Sequence, residues 1–249
     1  AGDEADANGS LQRVLRAFRA IKKVLPYIKI YTTVVFPEKS EVFEPLVDIR
    51  AFSSYADETI VERTRRAGRQ LWMYSGTSEY GAGGRGDRLY RGLWSEKLTL
   101  VGALDWTYWR PSLDYSQPFN DLIDNGSSRP NFSGWIFPTD NGPLPTTGWE
   151  AIREGVEDGR YIHALQQLIK ERRKKIGDDD SLSKEAEAFL KATLDRVDTS
   201  PRPRKPDGSA DNTKFPLRIA AEKIDPDFFD QVRREIAERI ITFQSATDQ

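Results

Sequence analysis

Apolar residues recur at two different spacings along the first half of the chain, and each spacing predicts one type of element. Between Leu11 and Ile21 they follow the period of an amphipathic helix, with Ser10 at the expected N-cap and Pro26 beyond the end. Short apolar runs rich in β-branched or aromatic residues predict buried strands instead. These runs cover residues 28–35, 47–52, 70–75 and 100–109.

Predicted helices alternate with these strands. One begins at Asp57 and should end at Gly68, because glycine suits the residue that follows a helix. Another covers residues 88–98, directly before the fourth strand. Alternation of this kind is typical of βα units, so we expect an α/β fold with a parallel sheet.

The last hundred residues favour helices. Apolar residues at helical spacing predict helices over 149–176, 181–197 and 225–243. Between the last two, residues 200–216 are rich in proline and charge, which predicts a mobile linker. We therefore expect a domain over residues 1–176 and a helical C-terminal extension over 177–249.

The predicted sheet is too small to close on itself. Four strands, with a fifth ending at Gly2, leave sheet edges unpaired and apolar faces open. The remaining strands would have to precede residue 1, come from a partner chain or be missing. We interpret residues 1–176 as the C-terminal portion of a (β/α)8 TIM-type barrel and expect them to require the upstream half.

Composition excludes several classes of function. The 37 basic and 39 acidic residues nearly cancel, which argues against nucleic acid as a partner, and no apolar run approaches a membrane span. The chain has no cysteine and a single histidine, His163, so thiolate metal sites and zinc sites built on several imidazoles are excluded. We expect no metal and no cofactor, and we expect any proton chemistry to belong to carboxylates.

Carboxylates are concentrated just before the first helix, at Asp3, Glu4 and Asp6. One interpretation is structural, because acidic residues stabilise the positive end of a helix dipole. The other is catalytic, because active sites of (β/α)8 barrels lie where strands end and βα loops begin. Adjacent strand residues point to opposite faces, so Asp3 and Glu4 serve one site only if the strand end twists or bulges.

Several segments, in order, resemble a known family. The stretch SGWIFPTDNGPLPTTGWEAIREGVEDGRYIHALQQLI resembles the closing segment of glycoside hydrolase family 123 and the related domain of unknown function 4091. RLYRGLWSEKLTLVGALDWTYW, QLWMYSG and the opening DEAD resemble upstream strands of the same family. The likeness covers roughly residues 1–170.

This resemblance implies a function and two catalytic roles. Members of the family cleave β-linked 2-acetamido sugars, using the acetamido group of the substrate as the nucleophile. Glu4 would protonate the leaving oxygen and later deprotonate water, and Asp3 would hold the acetamido N–H. The implied substrate is a glycan, and that substrate class suggests a secreted or periplasmic protein.

Aromatic residues near two predicted strand ends are candidates for sugar stacking. Alternation sends Trp72 and Tyr74 to one face of their strand, and Trp106 and Tyr108 to one face of theirs. Tyr74 and Trp106 lie nearest the expected mouth of the barrel. Asp105 would bond sugar hydroxyls or pair with an arginine. For each aromatic residue, packing between barrel and helices is the competing interpretation.

Two other functions stay open at this point. One is a carbohydrate-binding or scaffolding barrel that has kept the aromatic cleft and lost catalysis. The other is a glycosidase of sugars that lack the acetamido group, which would need a separate carboxylate nucleophile. Asp48 and Asp105 are the candidates for that nucleophile. His163 lies in a predicted helix and is given no role.

Overall fold

The structure is a computed structural model of the 249-residue chain. It describes residues 4–35, 41–53, 58–75, 83–105, 109–110, 133–134, 136–200, 205–206 and 216–246.

The chain forms two compact units, each assembled from segments that are separated in sequence. The sheet unit contains residues 1–80, 98–134 and 199–217. The helical unit contains residues 81–97, 135–198 and 218–249. The expected division into residues 1–176 and 177–249 stays a prediction.

The sheet unit alternates strands with helices. Its helices are α1 (Leu11–Val24) and α2 (Glu58–Arg66), and its main strands are β1 (Tyr31–Val34), β2 (Ile49–Ser53), β3 (Gln70–Ser75) and β4 (Gly102–Asp105). Two short strands, β5 (Trp109–Arg110) and β6 (Ser133–Gly134), pair antiparallel.

The four main strands form one parallel sheet in the order β1-β2-β3-β4. In its register Thr32 lies opposite Arg50, and Tyr74 lies opposite Leu104. This confirms the predicted α/β class with a parallel sheet. Each predicted apolar run overlaps one of the four strands, β2 extends one residue beyond its run, and β3 has the predicted bounds of 70–75.

One face of the sheet is buried over β1 and β2. Thr32, Arg50 and Phe52 lie on this face by alternation along the strands, and none is more than 1% exposed. Arg63 of α2 binds the same carboxylate, that of Glu44, as Arg50 does. The helix α2 therefore lies on this side of the sheet.

The opposite face is only partly covered. Tyr31 at the start of β1 is 40% exposed, and Thr33 and Trp72 are partly exposed. Right-handed connections between parallel strands taken in sequential order all lie on the same side of a sheet. The strand order therefore explains why one face is packed and the other is more open.

The helical unit is dominated by one long helix. Its helical elements are α3 (Gly83–Leu89), a π-helical turn (Tyr90–Trp94), α4 (Ser95–Lys97), α5 (Thr147–Ile176), α6 (Ser181–Asp195), most of α7 (Pro216–Lys223) and α8 (Pro226–Ser245). A hairpin of β7 (Ile136–Thr139) and β8 (Gly142–Pro145) precedes α5. The three predicted C-terminal helices correspond to α5, α6 and α8, whereas α7 was not predicted.

Two glycines allow α5 to cross the α3 segment closely. A Cβ atom at Gly155 would lie 2.4 Å from the backbone oxygen of Arg88, and one at Gly92 would lie 2.9 Å from the backbone oxygen of Gly155. Ion pairs join the same helices, because Asp158 of α5 binds Arg88 of α3 and Arg233 of α8, each at 2.7 Å. The buried carboxylate of Asp158 is thus compensated by two guanidinium groups.

The predicted end of α2 is confirmed, whereas the predicted cap of α1 is not formed. Gly68 follows α2 with φ of +64°, as a C-terminal glycine should. Ser10 stands at the N-cap of α1 without a capping bond, and its hydroxyl donates instead to Asn8 Oδ1 at 2.6 Å. Most of the predicted linker 200–216 lies outside the described residues.

None of the described helices is long and apolar enough to cross a membrane.

Candidate functional site

Residues 4–8 lie at the carboxyl edge of the sheet, where all four parallel strands end. The backbone N–H of Glu4 donates to Thr33 Oγ1 at 2.7 Å, near the end of β1. The N–H of Val35, directly after β1, donates to Asp6 Oδ2 at 3.0 Å and to its Oδ1 at 3.2 Å. Two independent contacts therefore hold this segment against the end of β1.

The side chain of Glu4 reaches across the sheet to β3. The hydroxyl of Tyr74 donates a hydrogen bond to Glu4 Oε1, with 2.5 Å between the oxygens. Tyr74 is buried, with 8% of its surface exposed, and Glu4 is partly buried. The carboxylate thus stands beside a phenol that belongs to a strand 70 residues away in sequence.

The backbone of Glu4 is in the left-handed region, with φ of +44°. This conformation costs an L-residue about 1–2 kcal/mol relative to glycine. The Glu4 carbonyl accepts the N–H groups of Ala7 and Asn8, which closes a turn. The chain therefore turns at Glu4, and the placement of Asp3 relative to this turn lies outside the described residues.

Asp6 has a structural position at this edge. Its side chain is buried, at 8% exposed, and its neighbour Ala5 is fully buried. Because both carboxylate oxygens of Asp6 accept the Val35 N–H, Asp6 holds the turn that contains Glu4 against the end of β1. From the sequence, Asp6 was one of three carboxylates that could stabilise the helix dipole, and its bond to Val35 was not foreseen.

Trp72 lies one layer beneath Tyr74 on the same face, about 7 Å towards the amino end of the strand. Its indole packs against the ring of Tyr31, with centroids 6.0 Å apart and planes tilted by 57°. A Cβ atom at Gly102 would lie 2.4 Å from the indole, so Trp72 covers β4 at that point. These contacts favour packing as its main role.

The structure brings together two of the seven predicted site residues, Glu4 and Tyr74. Asp3, Trp106 and Tyr108 lie outside the described residues. The backbone of Asp105 ends β4 opposite Ser75, at the same edge as Glu4, and its side chain is outside the described part.

Thr33 is a contact that sequence reasoning missed. It lies two residues after Tyr31 on the open face and accepts the Glu4 N–H. Alternation along the predicted strand 28–35 was the signal that could have placed it on that face.

The amino edge of the sheet holds a different carboxylate. Asp48, directly before β2, binds Lys22 Nζ and Arg69 Nη1, each at 2.7 Å, and accepts the N–H of Ile30 at 2.9 Å. Burial opposes ionisation of Asp48, but the Lys22 and Ile30 hydrogen bonds and the charges of Lys22 and Arg69 outweigh it. The pKa of Asp48 therefore lies below its ordinary value of 3.8.

A cavity of about 620 Å³ lies between α5 and α6 in the helical unit, and it contains none of the predicted site residues. Its apolar floor is formed by Ile169 and Leu190, and charged side chains such as Lys170 and Glu187 surround it. Among the described residues no cluster of three acidic or histidine side chains is arranged to bind a metal ion.

A comparison of the chain with models of known protein families finds no match, and neither does a comparison with curated protein sequences. The resemblance to glycoside hydrolase family 123 thus stays a prediction that depends on the quoted segments. The geometry at the carboxyl edge does not depend on that resemblance.

Proposed function

We propose that this chain is the C-terminal part of a glycoside hydrolase that cleaves a β-linked 2-acetamido sugar with retention of configuration. The observation that carries this proposal is the Glu4 carboxylate, bonded to the Tyr74 hydroxyl at the carboxyl edge of a parallel sheet. This edge is where (β/α)8 barrels place their catalytic groups. The sequential strand order is the order of a barrel segment and supports the same fold.

In the proposed reaction the acetamido carbonyl oxygen attacks the anomeric carbon. As the glycosidic bond breaks, protonated Glu4 transfers its proton to the leaving oxygen, and a cyclic oxazolinium ion forms. Asp3 accepts the acetamido N–H and stabilises the positive charge. Glu4, now ionised, takes a proton from water, and the resulting nucleophile opens the ring to give the hemiacetal with its original configuration.

Tyr74 is the positioning residue of this scheme. A carboxylate on a turn has free rotation about its side-chain bonds, whereas a bond to a buried phenol holds one oxygen in place. Correct placement of a catalytic group supplies a substantial part of rate enhancement. The second oxygen of Glu4 would then serve the proton transfers.

One competing function loses a candidate residue. A glycosidase of sugars without the acetamido group needs a second carboxylate near Glu4, and Asp48 was one candidate for it. Asp48 lies at the amino edge of the sheet, bonded to Lys22 and Arg69. It is therefore at the opposite end of the strands from Glu4, which favours the substrate-assisted mechanism over one that uses Asp48.

The test uses paired aryl β-glycosides that differ only in the 2-acetamido substituent, with the intact protein as the enzyme. We expect hydrolysis of the acetamido sugar alone. Glu4→Gln should lower kcat by about 10²- to 10⁴-fold, as expected for loss of a general acid–base, while Glu185→Gln on the exposed side of α6 should leave it unchanged. Tyr74→Phe should lower kcat by about 10- to 100-fold, because the hydrogen bond that holds the Glu4 carboxyl group in place is lost.

Equal hydrolysis of both sugars would exclude substrate assistance. Sugar binding without hydrolysis, unaffected by Glu4→Gln, would favour the non-catalytic scaffold instead.

A further inference from the structure

Arg50 is an unusual residue for the interior of a sheet. It is the second residue of β2, its side chain is 0% exposed, and it faces α2 on the packed side of the sheet. Its guanidinium carries five N–H donors and keeps its charge in proteins. Charged groups in protein interiors are normally paired and fully hydrogen-bonded, because burying them otherwise costs several kcal/mol.

The hydrogen-bonding capacity of Arg50 is mostly unused. Nη1 lies 3.3 Å from Glu44 Oε1, which is a long distance for a charge-assisted bond. Nε and Nη2 are enclosed and have no acceptor in the part of the chain that the structure describes. Three N–H groups of the guanidinium, two of them on its Nε/Nη2 edge, are therefore buried without a partner in the described part of the chain.

The surroundings of Arg50 carry excess positive charge. Glu44 is shared with Arg63, whose Nε lies 3.3 Å from the same oxygen, and Glu41 binds Arg63 as well. Asp48 is already engaged by Lys22 and Arg69. Among the residues that the structure describes, these ion pairs thus combine four cations with three carboxylates. Burial lowers the pKa of Arg50, and repulsion from Arg63 and Arg69 lowers it further against the opposing effect of Glu44.

We propose that the Nε and Nη2 edge of Arg50 binds a small inorganic anion of the halide class, with chloride as the physiological example. A halide accepts several N–H bonds, has no donor that needs a partner and cancels the excess charge of the cluster. A water molecule would accept bonds but leave the charge and add two donors. This site is on the packed face of the sheet, opposite to Glu4 and Tyr74, and is independent of the proposed hydrolase function.

The first test is thermal unfolding of the intact protein in sodium chloride and in sodium gluconate at equal ionic strength. Gluconate is too large for an enclosed site. Chloride near five times its Kd should raise the melting temperature by roughly 2–4 °C over gluconate, with saturation. Arg50→Met should abolish the difference, and Arg13→Met on the exposed side of α1 should keep it.

Arg50→Met is expected to fold, because Glu44 keeps Arg63 as its partner and the flexible methionine side chain fills the space of the arginine stem. Crystals soaked in bromide provide a second measurement, and an anomalous peak beside Nε and Nη2 would support the proposal. Equal stabilisation by chloride and gluconate would overturn it. A bromide peak without any chloride-specific shift in solution would also overturn it, because binding would then occur at crystal concentration only.

Discussion

The two edges of the parallel sheet hold their carboxylates in opposite ways. At the amino edge, Asp48 has two cationic partners and a backbone N–H. At the carboxyl edge, Glu4 has the Tyr74 hydroxyl as its side-chain partner and forms no ion pair within the described residues. The backbone also differs, because Glu4 has a positive φ and Asp48 does not.

This difference separates a residue that stabilises the fold from one available for chemistry. A carboxylate compensated by two cations cannot take up or release a proton near neutral pH without losing those bonds. A carboxylate that has no ion pair and belongs to a residue with a strained backbone lowers the stability of the fold. Functional residues are often held in such unfavourable conformations and environments. Asp158, with its two arginine partners, is likewise a carboxylate that stabilises the fold.

The strongest test of this contrast is to remove the carboxylate at the amino edge. Asp48→Ala leaves Lys22 and Arg69 without their shared partner and should lower the free energy of unfolding by about 2 kcal/mol. Urea denaturation measures this loss, with Asp178→Ala as the exposed control. Turnover of the acetamido glycoside should stay within about threefold of wild type. If Asp48→Ala instead abolished activity in folded protein, the division of roles between the edges would be wrong.

The helical unit offers a second comparison, between two glycines of α5 that differ in the space around them. Gly155→Ala places a methyl group 2.4 Å from the backbone of Arg88 and should destabilise the protein by about 2 kcal/mol. Gly159→Ala on the same helix is the matched control. Its Cβ would have ordinary contacts at 3.6 Å or more, so it should be neutral or stabilising by up to about 1 kcal/mol. Equal effects on the denaturation midpoint would contradict the close crossing.

The strain at Glu4 predicts a smaller effect on stability. Glu4→Gly and Glu4→Ala both remove the carboxylate, but only glycine adopts a φ of +44° without cost. Glu4→Gly should therefore be more stable than Glu4→Ala by about 1 kcal/mol, measured by chemical denaturation. Both variants should lack hydrolase activity. A more stable alanine variant would show that this turn is not strained in solution.

The lowered pKa of Asp48 predicts a pH effect limited to acid. A carboxyl group whose pKa is lower in the folded state stabilises the protein above its ordinary pKa of about 3.8, and loses this contribution as pH falls through the folded pKa. The difference in unfolding free energy between wild type and Asp48→Asn should be constant at neutral pH and narrow below pH of about 4. A difference that narrows between pH 6 and 8 would point to another group.

Local sequence patterns determined much of the secondary structure. The bounds of β3, the long helix α5 and the glycine after α2 all follow from periodicity and backbone preferences of neighbouring residues. The helix α7 was missed because its eight residues, between a proline-rich segment and Pro226, are too few for a helical period to stand out. Ser10 is at the predicted N-cap position, but its hydroxyl, which was expected to cap α1, donates to Asn8 instead.

The site itself depended on contacts that no local pattern contains. Because Asp3 and Glu4 are adjacent, the sequence could not show whether their side chains point into one site. For Glu4 the tertiary structure shows the direction, through the turn at Glu4 and the bond from Tyr74. The burial of Arg50 could not be predicted either, since a charged residue in an apolar run does not indicate which face of the sheet a helix will pack against. Periodicity depends on neighbours within a few residues, whereas these features depend on which distant strand and helix pack against them.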